Sequence, residues 1–577
     1  MNRIMRGYRS IVRLSAVISS ILIWGGILAC HSKAGSVPKS KEKIADNKGG
    51  IEYKAEKWAD SVISTLSPRE RIAQLFVPRL DITDNAAGYR AVERVAGTDR
   101  MGGFLLGKGT PESYSNLINY GQSLASIPLM ITLDGEWGLS MRVSGTPRFP
   151  YNIALGAADD DQLMYEYGRE MARECRLMGI QVNFAPDLDV NSNPDNPVIG
   201  YRSFGEDPEI VGRLGAAYCR GMWQEGVMPV GKHFPGHGDT STDSHKTLPI
   251  VDHDRRHLDS VDVRPFVKAF GDGMPAIMVG HLKVPVLDPS GTPASLSKKI
   301  TTDFLQNDLG FSGLVFTDAL AMKGASMSGE NNCVSALLAG ADILLGSGNP
   351  AKDLDAVAEA VSSGRLSQNE IDKHCRKVLT YKYMLGLDKK PHVDLKNVTE
   401  KLNTPYVDSL IMAISRKAVT VARDRSSLLP VDSKEKSIVL ISIGAPSSNP
   451  FSNECRLSGN VSCYSVDGSS VITSSVLDAA KKADIVLIGV FKHNQSAVNA
   501  FKSLSGIDNA IGVFFMNPFK VVKFPGLSEL GTIVLGYDDI PAIRKAAAEA
   551  IFGKIKVTGK MPVNLPGLGT VGQGIMF

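Results

Sequence analysis

Val227-Met-Pro-Val-Gly-Lys-His-Phe-Pro-Gly-His-Gly-Asp-Thr-Ser-Thr-Asp-Ser-His-Lys-Thr-Leu-Pro249 is an apolar run that passes directly into a polar loop. Residues 227–231 read as a buried strand. The two glycines and the proline at 235–238 allow neither a helix nor a continued strand. Three histidines (His233, His237, His245) and two aspartates (Asp239, Asp243) crowd the stretch that follows. A rigid strand opening into a long polar loop is an arrangement in which chemistry commonly sits.

The same pattern recurs. Short apolar runs occur at 75–78, 102–106, 129–133, 181–185, 228–232, 276–280, 313–317 and 341–345, with helical patterns between them, such as 160–178, 208–225 and 300–309. Continuous apolar strands that alternate with helices predict a parallel sheet covered on its outer face. Eight such units predict a (β/α)8 barrel. An open doubly wound sheet is the alternative, and no glycine-rich dinucleotide fingerprint follows the first strand to support it. A barrel carries its functional groups at the C-terminal ends of its strands. Asp134, Asp187, Lys232, His233, His281 and Asp318 all fall at such ends.

The chain has 577 residues, too many for one ordinary domain. An apolar fraction of 43% is that of a globular protein, and a net charge of +4 is too small to argue for a nucleic-acid partner. Residues 1–30 read as an export signal: Arg3, Arg6, Arg9 and Arg13 precede an apolar stretch, then Ala29-Cys30. That ending resembles a bacterial lipobox. The resemblance implies lipidation of Cys30 and a protein anchored by lipid to the cell envelope, periplasmic or on the outer membrane. Residues 31–54 are expected to be a flexible tether, 55–390 the barrel, 391–405 a linker and 406–577 a smaller α/β sandwich. Strands of the sandwich are predicted at 437–442, 485–491, 511–515 and 532–535, after a helix at 407–421. Six further cysteines have no zinc-binding spacing, and Cys455 with Cys463 could pair across a loop.

In an extended loop, residues i and i+2 project to one side. Asp243 can therefore accept the Nδ1–H of His245, leaving Nε2 free as a proton shuttle near neutral pH. Asp318, at the end of an apolar strand, has the placing of a nucleophile, base, metal ligand or salt-bridge partner. No His-x-x-x-His helix is read near the loop, and no metal is expected. Asp134 offers a carboxylate suited to vicinal hydroxyls. Arg142, Arg202, Lys232 and His233 are the groups expected to point inward beside it, and Trp137 can stack on a sugar or fill the barrel mouth.

Lys232-His-Phe-Pro-Gly-His-Gly-x4-Asp-Ser-His245, with Phe316-Thr-Asp-Ala-Leu320 downstream, closely resembles the bacterial β-N-acetylglucosaminidases of glycoside hydrolase family 3. Ser67-Pro-Arg-Glu-Arg-Ile-Ala-Gln-Leu-Phe76, Asn183-Phe-Ala-Pro-Asp-Leu-Asp189 and Arg202-Ser-Phe-Gly-Glu-Asp-Pro208 extend the likeness. The resemblance implies a retaining two-step hydrolysis of terminal β-linked N-acetylhexosamine in cell-wall or glycan fragments, without a cofactor. Asp318 would be the nucleophile and His245, oriented by Asp243, the acid/base. Asp134, Arg142, Arg202, Lys232 and His233 would line the sugar subsite. Trp137 stands where many members have glycine, which bears on the leaving group. A β-glucosidase or β-xylosidase, an N-acetylglucosaminide phosphorylase and a non-catalytic glycan-binding lipoprotein are the rivals. The intact Asp243-Ser-His245 loop favours the hexosaminidase over the first of these, and its presence together with Asp318 tells against the last. A histidine acid/base leaves room for phosphate in place of water, so rates with and without phosphate decide on the phosphorylase.

Overall fold

The computed structural model describes residues 41–577 apart from 82–83, 244–246, 327–328 and 467–471. The expected signal at 1–30, with Cys30, lies outside the described residues. Residues 41–54, read as part of a flexible tether, instead belong to the helix Lys41–Thr65. Lys, Glu and Ala, strong helix formers, recur along it. Ala55 and Ala59 in it are fully buried.

Strand β1 (Phe76–Val77) and β2 (Arg79–Leu80) are one chain segment broken at Pro78, which has no N–H to give a ladder. There follow β3 (Gly103–Leu106), β4 (Met130–Leu133), β5 (Val182–Asn183), β6 (Met228–Phe234), β7 (Ala276–Val279), β8 (Leu314–Thr317) and β9 (Leu344–Leu345). From β2 to β8 each strand pairs in parallel with the next. Phe316 bridges Ile343 in parallel, and β9 pairs with β1, so the ring closes. This is the barrel predicted from the apolar runs. Its strands are buried because helices cover the outside: Asp161–Leu177 and Pro208–Gln224 pack side by side and start at Asp160 and Asp207, whose carboxylates accept the first free N–H groups. The stretch predicted as a helix at 300–309 is wound as a π-helix, Lys299–Asp308.

The linker is packed rather than free. It contains the helix Val398–Leu402, whose two end residues are buried, and Asn119 holds the Val393 N–H and carbonyl at 2.8 and 2.9 Å. A charged composition concealed these few apolar anchors. The helix Pro405–Ala418 leads to β10 (Thr420–Asp424), then β11 (Ile438–Ile443), β12 (Val461–Val466), β13 (Ile485–Val490), β14 (Ala510–Phe514) and β15 (Thr532–Leu535). Their order is β10-β15-β14-β13-β11-β12, with β10 antiparallel and the others parallel. The four predicted strands form the middle of this sheet. Its two edges, β10 and β12, were not predicted. β12 is half exposed, and β10 was partly absorbed into the preceding helix. Cys455 and Cys463 are free thiols.

Candidate active site

The C-terminal rim of the barrel holds a chain of alternating charges. Asp134 directly follows β4, and Lys232 lies within β6. The Lys232 ammonium donates to Asp134 Oδ1 at 3.0 Å and to Glu136 Oε1 at 2.7 Å. Arg142 donates to Asp134 Oδ2 at 3.0 Å. Arg202 grips Glu136 with two bonds of 2.9 and 2.7 Å. The five residues expected to line the site are thus brought together, and Glu136, to which sequence reading gave no role, joins them. Burial pushes the Glu136 carboxyl up, but Arg202 and Lys232 outweigh it and hold it well below the usual carboxylate range. Burial likewise opposes the Lys232 charge, and Glu136 and Asp134 more than restore it. Each charge depends on its partners, so the clamp is pre-ordered around Asp134, whose carboxylate keeps a solvent-facing side (23% exposed).

His233 stands beside this clamp. Its Nδ1 lies 2.7 Å from Asp189 Oδ2, and its Nε2 lies 3.5 Å from Arg202 Nη2. Burial, then the Arg202 charge, lowers the His233 pKa to about 4, and burial raises Asp189 to about 6. At neutral pH the pair is therefore a carboxylate and a neutral imidazole. A carboxylate only accepts, so Nδ1 carries the proton and the Nε2 lone pair faces the guanidinium. Asp189 also accepts the His237 N–H at 2.7 Å. Sequence reading quoted Asp189 within a motif but did not recognise it as the anchor of two histidines.

The loop after β6 is pinned close to the barrel. Asn196 donates to the carbonyls of His237 and Gly238, both at 2.9 Å. A Cβ on Gly238 would meet the Val190 carbonyl oxygen at 1.7 Å, so only glycine allows this approach. His237 is buried, with Nδ1 at 2.6 Å from Thr240 Oγ1. Asp243 is partly buried, and its carbonyl accepts the Thr247 N–H at 3.0 Å. His245 lies outside the described residues, and with it the expected Asp243–His245 pair.

Asp318 directly follows β8. Its N–H donates to Val279 at 3.0 Å, which continues the ladder, and its Oδ1 accepts the Ala319 N–H at 2.7 Å. Burial raises its pKa, but His281, His233, the Ala319 N–H and Lys232 prevail, so it stays below the ordinary value. It is a carboxylate at neutral pH, close enough to the clamp to feel its charges. His281 is itself oriented: Nε2 donates to the Ala319 carbonyl at 3.0 Å, and Nδ1 lies 2.6 Å from Ser295 Oγ.

Asp187, Asp189 and His233 can bring ligand atoms within 4.8 Å of one another. Asp189 is already occupied by N–H donors, and Arg202 stands 3.6 Å from Asp187 Oδ2. A cation there would compete with a guanidinium, so the group reads as a hydrogen-bond network.

Beside the clamp, Trp137 meets Tyr151 edge-on at 5.0 Å and Tyr201 at 6.1 Å. Tyr151 and Tyr201 also line a cavity of about 420 Å³ whose other wall includes Asn517 and Asp538 of the sandwich. Arg148 fastens that wall with bonds of 2.8 and 3.1 Å to Asp538.

The arrangement can hold a polyhydroxylated ligand against Asp134 and present a buried carboxylate to it. Residues 68–381 match the glycosyl hydrolase family 3 N terminal domain. The chain is 31% identical over 426 residues to "Beta-hexosaminidase A" of Pseudoalteromonas piscicida, covering 67% of this chain and 68% of that one. It is 35% identical over 342 residues to "Beta-hexosaminidase LpqI" of Mycobacterium tuberculosis, covering 55% and 83%. The solved family 3 β-N-acetylglucosaminidase of Paenibacillus sp. str. FPU-7 superposes with a TM-score of 0.75 at 29% identity, over 87% of this chain and 99% of that one.

Proposed function

The chain belongs to glycosyl hydrolase family 3 and is a glycoside hydrolase, and from that premise we propose a retaining exo-β-N-acetylglucosaminidase acting on terminal β-linked N-acetylhexosamine of cell-wall or glycan fragments. The observation that carries the mechanism is Asp318, kept ionised at the end of β8 within reach of the clamp. Asp318 attacks the anomeric carbon as the glycosidic bond breaks, forming a glycosyl ester. His245, oriented by Asp243, gives its proton to the departing oxygen. The same imidazole then removes a proton from water, which attacks the anomeric carbon and releases Asp318. Asp134, Arg142, Arg202, Lys232 and His233 hold the sugar hydroxyls throughout. The aromatic cavity beside Trp137 supports a seat for the leaving group.

Asp318→Asn is expected to lower kcat on an aryl β-N-acetylglucosaminide by roughly 10³-fold or more, with an unchanged unfolding midpoint. Full activity would sink the mechanism. Mass spectrometry after a fluorinated slow substrate should find the sugar on the peptide containing Asp318. His245→Gly should lose most of its rate with poor leaving groups and far less with activated aryl ones; equal losses would remove His245 from the acid role. A panel of aryl N-acetylglucosaminide, glucoside and xyloside, run with and without phosphate, separates the hydrolase from its rivals. The N-terminal arginines, the apolar stretch and Ala29-Cys30 support a lipid anchor at Cys30. Among the described residues no helix is long and apolar enough to cross a membrane. Cys30→Ser should move the protein from the membrane fraction to the soluble one.

A further inference from the structure

Just beyond the loop, His253-Asp-Arg-Arg-His257 carries the His-x-x-x-His spacing that sequence reading passed over. It sits in a charged run with no helical period to draw attention. In the structure the chain turns there through the short helix Arg255–His257, whose start is capped by Asp254, and continues as the π-helix Leu258–Asp262. That turn brings His253, His257 and Asp262 together, each able to place a donor atom within 4.8 Å of the others. The imidazole rings of His253 and His257 are 3.8 Å apart between centroids. His253 Nδ1 lies 2.9 Å from Asp262 Oδ2. His257 Nε2 is buried and has no hydrogen-bond partner.

We propose that His253, His257 and Asp262 form a binding site for a divalent transition-metal ion of the zinc class, and that this site braces residues 236–239 of the loop after β6. Two imidazoles and a carboxylate are ligands that zinc accepts, with water completing a tetrahedron. An ion would give the buried His257 Nε2 the partner it lacks. The outer support is already built. His253 Nε2 lies 2.7 Å from Asp239 Oδ2, and a carboxylate on the far nitrogen is what orients a metal-bound histidine. Without an ion both ring nitrogens donate, Nδ1 to Asp262 and Nε2 to Asp239. An ion would take the place of the Nδ1 proton, which leaves to solvent, while Nε2 keeps its bond to Asp239. Asp239 belongs to the loop and is held there by Ser192 at 3.2 Å. A Cβ on Gly236 would meet Asp262 Cβ at 2.8 Å, so the loop also rests directly on the third ligand. Occupancy would replace the labile His253–Asp262 hydrogen bond by two metal bonds and stiffen the segment at both points. That this loop carries the acid/base rests on the function proposed above; binding of the ion does not.

The test uses the full chain, freed of metal by chelation. Calorimetric titration with Zn²⁺ should give one site, and Co²⁺ should give the visible absorption of a tetrahedral complex. His257→Ala should weaken zinc binding by about tenfold or more, and Asp239→Asn by a similar factor through the lost support. Hydrogen exchange of a peptide covering 236–243 should slow about threefold or more on zinc addition, and should not respond in His257→Ala. Chelated wild type and His257→Ala should have the same hydrolytic rate and melting temperature, which separates loss of the ion from loss of the fold. Absence of stoichiometric binding would overturn the proposal. So would binding that survives His257→Ala, which would put the ion elsewhere, for instance on Asp187, Asp189 and His233. A site that binds zinc without altering exchange in 236–243 would overturn the brace.

Discussion

At the scale of single residues, Glu136 has the largest consequence. It is fully buried and shared between Arg202 and Lys232. Removing its charge leaves two buried cations partly unpaired, the expensive way to break an ion pair. Glu136→Gln is expected to cost about 3–5 kcal/mol of stability, read as a lower denaturant midpoint, and to raise KM as Arg202 loses its orientation. An unchanged midpoint would remove Glu136 from the centre of the clamp. Lys382 gives a pH prediction. It is fully buried, donates to Gln74 Oε1 at 2.8 Å, and burial pushes it down to about 7 from an ordinary 10.5. Across that window the unfolded chain holds a proton that the folded chain lacks, so this group makes stability rise with pH from about 7 and adds no slope below it. The stability difference between wild type and Lys382→Met, measured from pH 6 to 10, should carry that slope; a flat difference would refute the shift. The clamp was largely legible because Asp134, Arg142, Arg202, Lys232 and His233 fall at strand ends or in recognisable motifs. Glu136 was not, although it is two residues from Asp134 and the i, i+2 rule used for Asp243 and His245 would have found it. Asp189 was missed as an anchor because its partners, the His233 ring and the backbone N–H groups of His233 and His237, lie more than forty residues along the chain.

At the scale of elements, the first residues of the loop after β6 are fixed, and His245, the acid/base proposed above, lies further along the same loop. Asn196, Asp189 and the contact of Gly238 with Val190 fix residues 236–240. Gly238→Ala has no room for its methyl group and should shift the loop away from the barrel. We expect kcat to fall about tenfold or more, with a smaller change in KM, since Asp134, Arg142 and Arg202, proposed above to hold the sugar, lie on other elements. Equal effects on both constants would mean that the loop contacts only bound substrate. The barrel strands were legible because burial on both faces leaves unbroken apolar runs, which tolerate little polar interruption. Edge strands follow no such rule. β12 is buried only at its two ends, Val461 and Val466, and β10 carries Arg423, whose guanidinium satisfies the carbonyls of Leu527, Leu530 and Gly567. Such long-range partners are invisible to a local reading.

At the scale of the whole molecule, the barrel and the sandwich share the cavity beside Trp137, fastened by Arg148 and Asp538. Asp538 is only 3% exposed, so Asp538→Ala leaves a partly buried cation and should cost about 3 kcal/mol. Thermal unfolding should then separate into two steps; a single unchanged transition would show that the domains are held together elsewhere. The ring of β-strands needs nothing beyond residue 345 to close. The sandwich follows a different timetable. Asp424 of β10 bonds to Thr532, 108 residues later, and the outer side of β10 is met by Ile575, whose N–H donates to Val421 at 2.8 Å. During synthesis the barrel can therefore be complete while β10 still waits for both neighbours, with its edge open to pairing with any other chain. The segment around Ile575 covers that edge. A variant stopped at residue 569 should keep its barrel and be recovered mainly as aggregate; recovery as a soluble monomer would show that the β10 edge needs no cover.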